Sequence, residues 1–256
     1  MDRAVEFHNA GIGYGRIVID GLSLRIPRPG LTTILGPNGS GKTTILRALI
    51  KFSRLFHGKV YIDGIDLDKL GIEDLPRHVS YSPAEIENPM FMTVLDVVSS
   101  ARGVNGWVSN EEAIKALEYL GIGGLAHRRF SELSTGQKRL VIIARAVASG
   151  ARLLILDEPT SNLDLGNKYR VISTLRRLVQ DLGVAIVSAT HDIDLALASD
   201  LVVAIRDGRL VAVGDPASVI REDVLSSVYG VKVRIARVDG RVLVYVVDGN
   251  YQINNK

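Results

Sequence analysis

Apolar and polar residues alternate along the chain with two different periods. Residues 4–7 and 17–26 place apolar side chains at every second position, as a half-buried strand does. Leu31 to Leu35 is a short buried strand that runs into a glycine-rich turn at Gly36. A helix is predicted from about Thr43 to Ile50, with further short strands at 60–62 and 79–81. From Glu85 to Ser149 the pattern turns mostly helical; Asn110-Glu111-Glu112 reads as a cap with N-terminal carboxylates, and Gly121 as a stop. Strands at 153–156, 184–187 and 201–205 then alternate with helices near 166–182 and 192–198. That alternation implies right-handed crossovers and a parallel sheet. Residues 231–238 and 241–247 flank Asp239-Gly240, a hairpin signal because both residues tolerate the positive φ of a tight turn.

The expected fold class is α/β. A mainly parallel core spans 1–83 and 150–230, with an antiparallel β subdomain at its N-terminal end. A helical insert at 84–149 interrupts it, and a C-terminal hairpin extension occupies 231–256. With no repeat, low-complexity tract or linker, 1–256 reads as a single domain. Open parallel sheets bind ligands beyond the carboxyl ends of their strands, so the chemistry is expected there.

Composition narrows the choice of chemistry. Cysteine is absent, which excludes thiolate metal sites, thiol nucleophiles and Fe–S ligation. Net charge is +3, from 31 Lys+Arg against 28 Asp+Glu, and the basic residues are dispersed. Aromatics make up 5% of the chain, too few for a base-stacking platform, so no nucleic-acid partner is expected. No apolar run reaches the roughly 18 residues of a membrane span, and Met1 to Glu6 does not begin a signal peptide. A soluble protein is expected, with any membrane role peripheral.

Gly36-Pro37-Asn38-Gly39-Ser40-Gly41-Lys42-Thr43 fits G-x-x-x-x-G-K-[ST], the P-loop. Polyphosphate needs successive backbone N–H groups turned into one concavity, and glycines permit that backbone. Residues 36–44, Thr44 included, are therefore candidate nucleotide contacts: Lys42 supplies a point charge and the Thr43 hydroxyl a Mg²⁺ ligand. The apolar run Leu153 to Leu156 ends in Asp157-Glu158. Asp157 is the candidate Mg²⁺ carboxylate, and Glu158 the candidate general base for an attacking water.

P-loops alone do not choose among kinases, GTPases and motors. Leu133-Ser134-Thr135-Gly136-Gln137, placed 20 residues before Asp157, resembles the signature loop of ATP-binding-cassette (ABC) ATPases. Ser161-Asn162-Leu163-Asp164 resembles that family's D-loop and His191 its switch histidine, while Tyr14 sits where the family puts an aromatic against adenine. The resemblance spans essentially the whole chain. It implies a P-loop NTPase core, MgATP as ligand, and Glu158, His191 and Lys42 as catalytic residues. It also implies a head-to-tail homodimer, with each ATP held between one chain's P-loop and the partner's Ser134-to-Gln137 and Asp164.

Two positions depart from the family pattern. Ala84 stands where a glutamine is usual, and Thr135 replaces a second signature glycine. Slower hydrolysis or altered coupling is expected, with Glu85 or Glu87 as possible substitutes for the missing amide. The resemblance further implies the energising subunit of an importer, peripheral on the cytoplasmic face of the membrane. It would work with transmembrane permease subunits and, indirectly, an extracytoplasmic substrate-binding protein. The stretches 93–98 and 225–233 look like subunits serving iron-chelate, haem and cobalamin uptake. A soluble ABC machine of the Fe–S assembly type is the alternative, and a nucleotide-binding regulator without turnover a third.

Overall fold

The computed structural model describes residues 2–85, 89–103 and 106–247. Strands β1 (Asp2–Gly13) and β2 (Ile17–Arg28) form a long antiparallel pair, and β3 (Gly30–Leu35) starts a second sheet. Helix α1 (Lys42–Ala48) follows, and β4 (Arg54–Ile62) and β5 (Ile65–Asp66) return to the first sheet, ordered β2-β1-β4-β5. After β6 (Val79–Ser82) come α2 (Val94–Ser99), the short hairpin β7 (Arg102–Gly103) and β8 (Gly106–Trp107), α3 (Asn110–Tyr119) and α4 (Thr135–Ala148). The chain then alternates through β9 (Leu153–Asp157), α5 (Leu165–Leu182), β10 (Ala185–Thr190), α6 (Ile193–Leu197) and β11 (Leu201–Arg206). It continues with β12 (Arg209–Gly214), α7 (Pro216–Val219), α8 (Glu222–Tyr229) and the hairpin β13 (Val233–Val238) and β14 (Arg241–Val246).

The second sheet has the order β12-β11-β3-β10-β9-β6, parallel except at its β12 edge. Strands β3, β9 and β10 are buried along their whole length, which explains their unbroken apolar runs. In β9, Leu154 and Leu156 join a core with Phe130 and Leu140 of the insert. Leu153 and Ile155 join a core on the other face with Ile26, Ile45 and Val60. The helical insert therefore shares its apolar interior with the sheet. Phe130 is fully buried there, and truncating such a side chain typically costs about 3–5 kcal/mol.

Three details depart from the sequence reading. The cap of α3 is Ser109, whose hydroxyl accepts from Glu112 N–H while the Glu112 carboxylate accepts from Ser109 N–H. A hydroxyl one residue earlier closes that reciprocal box, so it takes the place assigned to Asn110. The insert also holds the hairpin β7–β8, and β12 adds an antiparallel edge. The turn into β12, Asp207-Gly208, has φ of 48° and 74° and carries the same signal as Asp239-Gly240.

Candidate functional site

Register is what gathers the candidate residues. Across the parallel strands Asp157 sits level with Ala189, Ala189 with Ile34, and Thr190 with Leu35. The carboxyl ends of β9, β10 and β3 thus stop side by side, and the next residues of each strand, Glu158, His191 and Gly36, meet at one edge.

The loop between β3 and α1 needs its glycines. Gly39 and Gly41 have φ of 78° and 101°, and a Cβ on Gly41 would lie 2.4 Å from Ile19 Cδ1. A Cβ on Gly36 would meet Ile205 O at 2.4 Å. Lys42 Nζ curls back over this loop and donates to Gly36 O at 2.8 Å and Pro37 O at 3.0 Å, 3.8 Å from Glu158 Oε1. Burial pulls the Lys42 ammonium below its ordinary range, while Glu158 and Asp157 oppose that shift. A hollow of about 250 Å³ opens in front, lined among others by Asn38, Thr43, Thr44, Ala84, Asp157 and Glu158.

Thr43 Oγ1 donates to Asp157 Oδ1 at 3.2 Å. Burial pushes the Asp157 carboxyl up, helped by the Glu158 charge and opposed by the Thr43 hydrogen bond and the charges of Arg47 and Lys42. A buried carboxylate beside a hydroxyl supplies hard oxygen donors, which suit Mg²⁺. Tyr81, whose hydroxyl lies 3.5 Å from Asp157 Oδ2, is a neighbour that sequence reasoning missed.

Glu158 adopts a left-handed φ of 47°, uncommon for a residue with a side chain, and its N–H donates to Ala189 O at 2.8 Å. Thr190 Oγ1 donates to one carboxylate oxygen at 3.0 Å, and His191 Nδ1 lies 3.2 Å from the other. The expected base and switch histidine are in contact.

The signature residues stand elsewhere. Ser134 caps α4, accepting from Gln137 N–H at 3.3 Å, and the Gln137 side chain accepts from Ser134 N–H at 3.1 Å. Ser134 and Thr135 are exposed, and neither lines the hollow at Lys42. Gly136 is buried against α5, where a Cβ would fall 2.4 Å from Asn167 Cγ. Asn167 is in turn held by Asp164, which accepts from its N–H at 2.8 Å and from its side-chain amide at 2.7 Å. Signature and D-loop therefore touch each other, apart from the P-loop of the same chain. Tyr14 is 42% exposed and accepts from Arg47 at 3.4 Å, outside the hollow's lining. Glu85 lines a neighbouring hollow with Pro83 and Met92 and is not among the residues lining the hollow at Lys42; Glu87 lies outside the described residues.

The family model for the ABC transporter matches residues 19–161. The iron(3+)-hydroxamate import ATP-binding protein FhuC of Bacillus subtilis is 35% identical, over 88% of this chain and 87% of its own length. The petrobactin import ATP-binding protein YclP of the same species is 31% identical over 94% of this chain and 99% of its own. Among solved structures, an inward-facing metal-chelate type ABC transporter superposes with a TM-score of 0.80 at 26% identity, covering 96% of this chain and 97% of that one. Its P-loop, its aligned strand ends and these relatives place the chain together: it belongs to the ABC transporter ATP-binding family and is an ATPase.

Proposed function

We propose that the protein is the energising subunit of a membrane importer for a metal chelate, and that two copies close head-to-tail around two MgATP. One observation carries the dimer. The signature helix start at Ser134 is exposed and absent from its own chain's P-loop hollow. A triphosphate can be gripped by both elements only across two chains. The N-terminal N–H groups of α4, which spans 14 residues, favour an anion there.

Within each site, the backbone of 36–43 holds the β- and γ-phosphates and Lys42 adds positive charge. Thr43 and Asp157 would hold Mg²⁺, which when bound neutralises charge on the phosphate oxygens. Glu158 takes the proton of the attacking water, with its carboxylate fixed from two sides by Thr190 and His191. Asp164 and Tyr14 complete the nucleotide contacts, Asp164 through the partner's side of the sandwich. Closure that depends on the γ-phosphate and reverses after hydrolysis converts the reaction into motion.

Importer function rests on relatives named for iron-hydroxamate and petrobactin import. It is supported by a second hollow of about 330 Å³, lined by Pro83, Glu85, Met92, Val97, Ile142 and Arg145, with exposed Met90 (67%) and Phe91 (88%) next to Met92 in the chain. An exposed apolar rim of this kind suits a permease segment on the cytoplasmic face of the membrane. A substrate-binding protein would act through that permease.

Glu158→Gln is the decisive variant. We expect it to bind MgATP, lose turnover by about 10²–10⁴-fold and accumulate as a dimer on size exclusion. A strictly monomeric variant, even with its permease present, would overturn the sandwich. Ala84 lines the hollow without a polar side chain. Ala84→Gln should therefore change MgATP turnover, and an unchanged rate would show that the missing amide has no consequence.

A further inference from the structure

Arg139 lies one turn into α4, is 3% exposed, and plays no part in the site described so far. Its Nη2 donates to Ala84 O at 3.1 Å and to Ser161 Oγ at 3.4 Å, while Nη1 donates to Pro83 O at 3.4 Å. Among the described residues no carboxylate lies within ion-pair distance, and Nε is buried without a partner. Burial pulls the guanidinium below its ordinary range, opposed at longer reach by the charges of Asp157 and Glu158. Enclosing a cation this deeply without a paired carboxylate is costly, and apolar residues of similar size would fill the space more cheaply. What distinguishes the arginine is reach: one planar fork bonds two loops that do not otherwise share a hydrogen bond among those described.

The second loop carries the base. Ser161 Oγ donates to Glu158 O at 2.9 Å, and Ser161 N–H donates to the same carbonyl at 3.2 Å. Glu158 holds a left-handed φ, a conformation that persists only where its surroundings fix it. The first loop borders both hollows: Ala84 lines the one at Lys42, and Pro83 the one at Met92.

We propose that Arg139 is a positioning residue that ties the Pro83-Ala84 loop to Ser161 and so sets the backbone of Glu158. The inference rests on the reading of Glu158 as base. Misplacing a reacting group by about 1 Å can cost about 10²-fold in rate, so a hydrogen-bonded strut of this kind is enough to matter.

The test combines Arg139→Met, Arg139→Lys and Ser161→Ala in the full chain, reading kcat and KM for MgATP together with amide hydrogen exchange at 84–85 and 160–162 without nucleotide. Arg139→Met should lower kcat about ten- to a hundredfold, keep KM within about twofold, and speed exchange in both loops together. Arg139→Lys should recover part of both effects, since an ammonium still donates to carbonyls. Ser161→Ala added to Arg139→Met should bring little further loss, because the two residues act in series. Additive losses, or faster exchange in one loop only, overturn the proposal. If Arg139→Met does not fold, the same cycle is run with Arg139→Lys. Wild-type turnover by Glu158→Gln would remove the base assignment alone, and the exchange data would still decide the link between the loops.

Discussion

At Lys42 and Glu158 the polar groups are enclosed and bonded across three strands, whereas at Ser134 and Thr135 they face solvent and are bonded only to their own helix turn. The first group draws on residues from distant parts of the chain: Gly36 from after β3, Glu158 from after β9, Thr190 and His191 from β10 and beyond. The second is a four-residue capping box, Ser134 to Gln137, steadied from outside by the contact of Gly136 with Asn167. The hydrogen bonds that hold the first group are all made within one chain. An exposed helix start can serve as the opposite jaw because it is finished locally and left uncovered. The proposed chemistry is thus assigned to the enclosed half and the proposed recognition to the accessible half.

Three experiments probe that division, in decreasing order of expected effect. Lys42→Ala removes the enclosed cation, and we expect ATP affinity of the single chain to fall about 10–10²-fold, as for loss of a hydrogen bond to a charged group. Isothermal titration on dilute protein measures it. Retained affinity would mean that the loop backbone alone holds the phosphates.

Gly136→Ala attacks the exposed half. Its new Cβ would collide with Asn167, which Asp164 anchors, so the helix start must shift. ATP affinity of the monomer should stay the same, while ATP-dependent dimerisation in a Glu158→Gln background weakens by about tenfold, an effect near 1.4 kcal/mol. Adding Asn167→Ala opens the space and should restore pairing. If monomer affinity falls instead, the two halves are not separable in the way the structure indicates.

The smallest effect concerns Tyr229, whose hydroxyl lies 3.5 Å from His191 O. Burial, reinforced by the charges of Glu158 and Asp192, pushes this phenol up to about 12. An acid whose folded-state value is raised keeps its proton longer when folded than when unfolded. Below the ordinary tyrosine value of about 10 both states are protonated and nothing is lost. As pH rises from there through about 12, the unfolded chain ionises first and stability falls. Tyr229→Phe should therefore show a shallower decline of its unfolding midpoint across that window than the wild-type chain. Parallel curves would show that Tyr229 is not enclosed against His191.

Legibility of the site followed the spacing of its parts. Residues 36–43 and the pair Asp157-Glu158 were readable because their chemistry requires neighbours in sequence. Ser134 to Gln137 were legible as a signature motif for the same reason, and the structure shows that they close a capping box within four residues. The links from Arg139 to Ala84 and Ser161, and from Tyr81 to Asp157, were not legible, because the partners lie 22 to 76 residues apart in the chain. Tyr14 was placed near adenine by resemblance, and here it pairs with Arg47 on the surface. The strand β12 was missed although Asp207-Gly208 announced it, because Leu210, Val211 and Val213 are all at least 38% exposed and their apolar run lacks a clean period of two.

By itself the sequence determined the class of fold, the phosphate-loop motif and the candidate groups for the chemistry. Hydrophobic period and turn residues are local properties, and so is the backbone shape that glycine alone permits at Gly41. Tertiary structure decided which of those groups meet. The level of Asp157 with Ala189 and of Thr190 with Leu35 is set by strand register, and register follows from burying both faces of the sheet at once. No residue encodes that alignment alone, since it is the packing of the helical insert on one face and the antiparallel sheet on the other that fixes it.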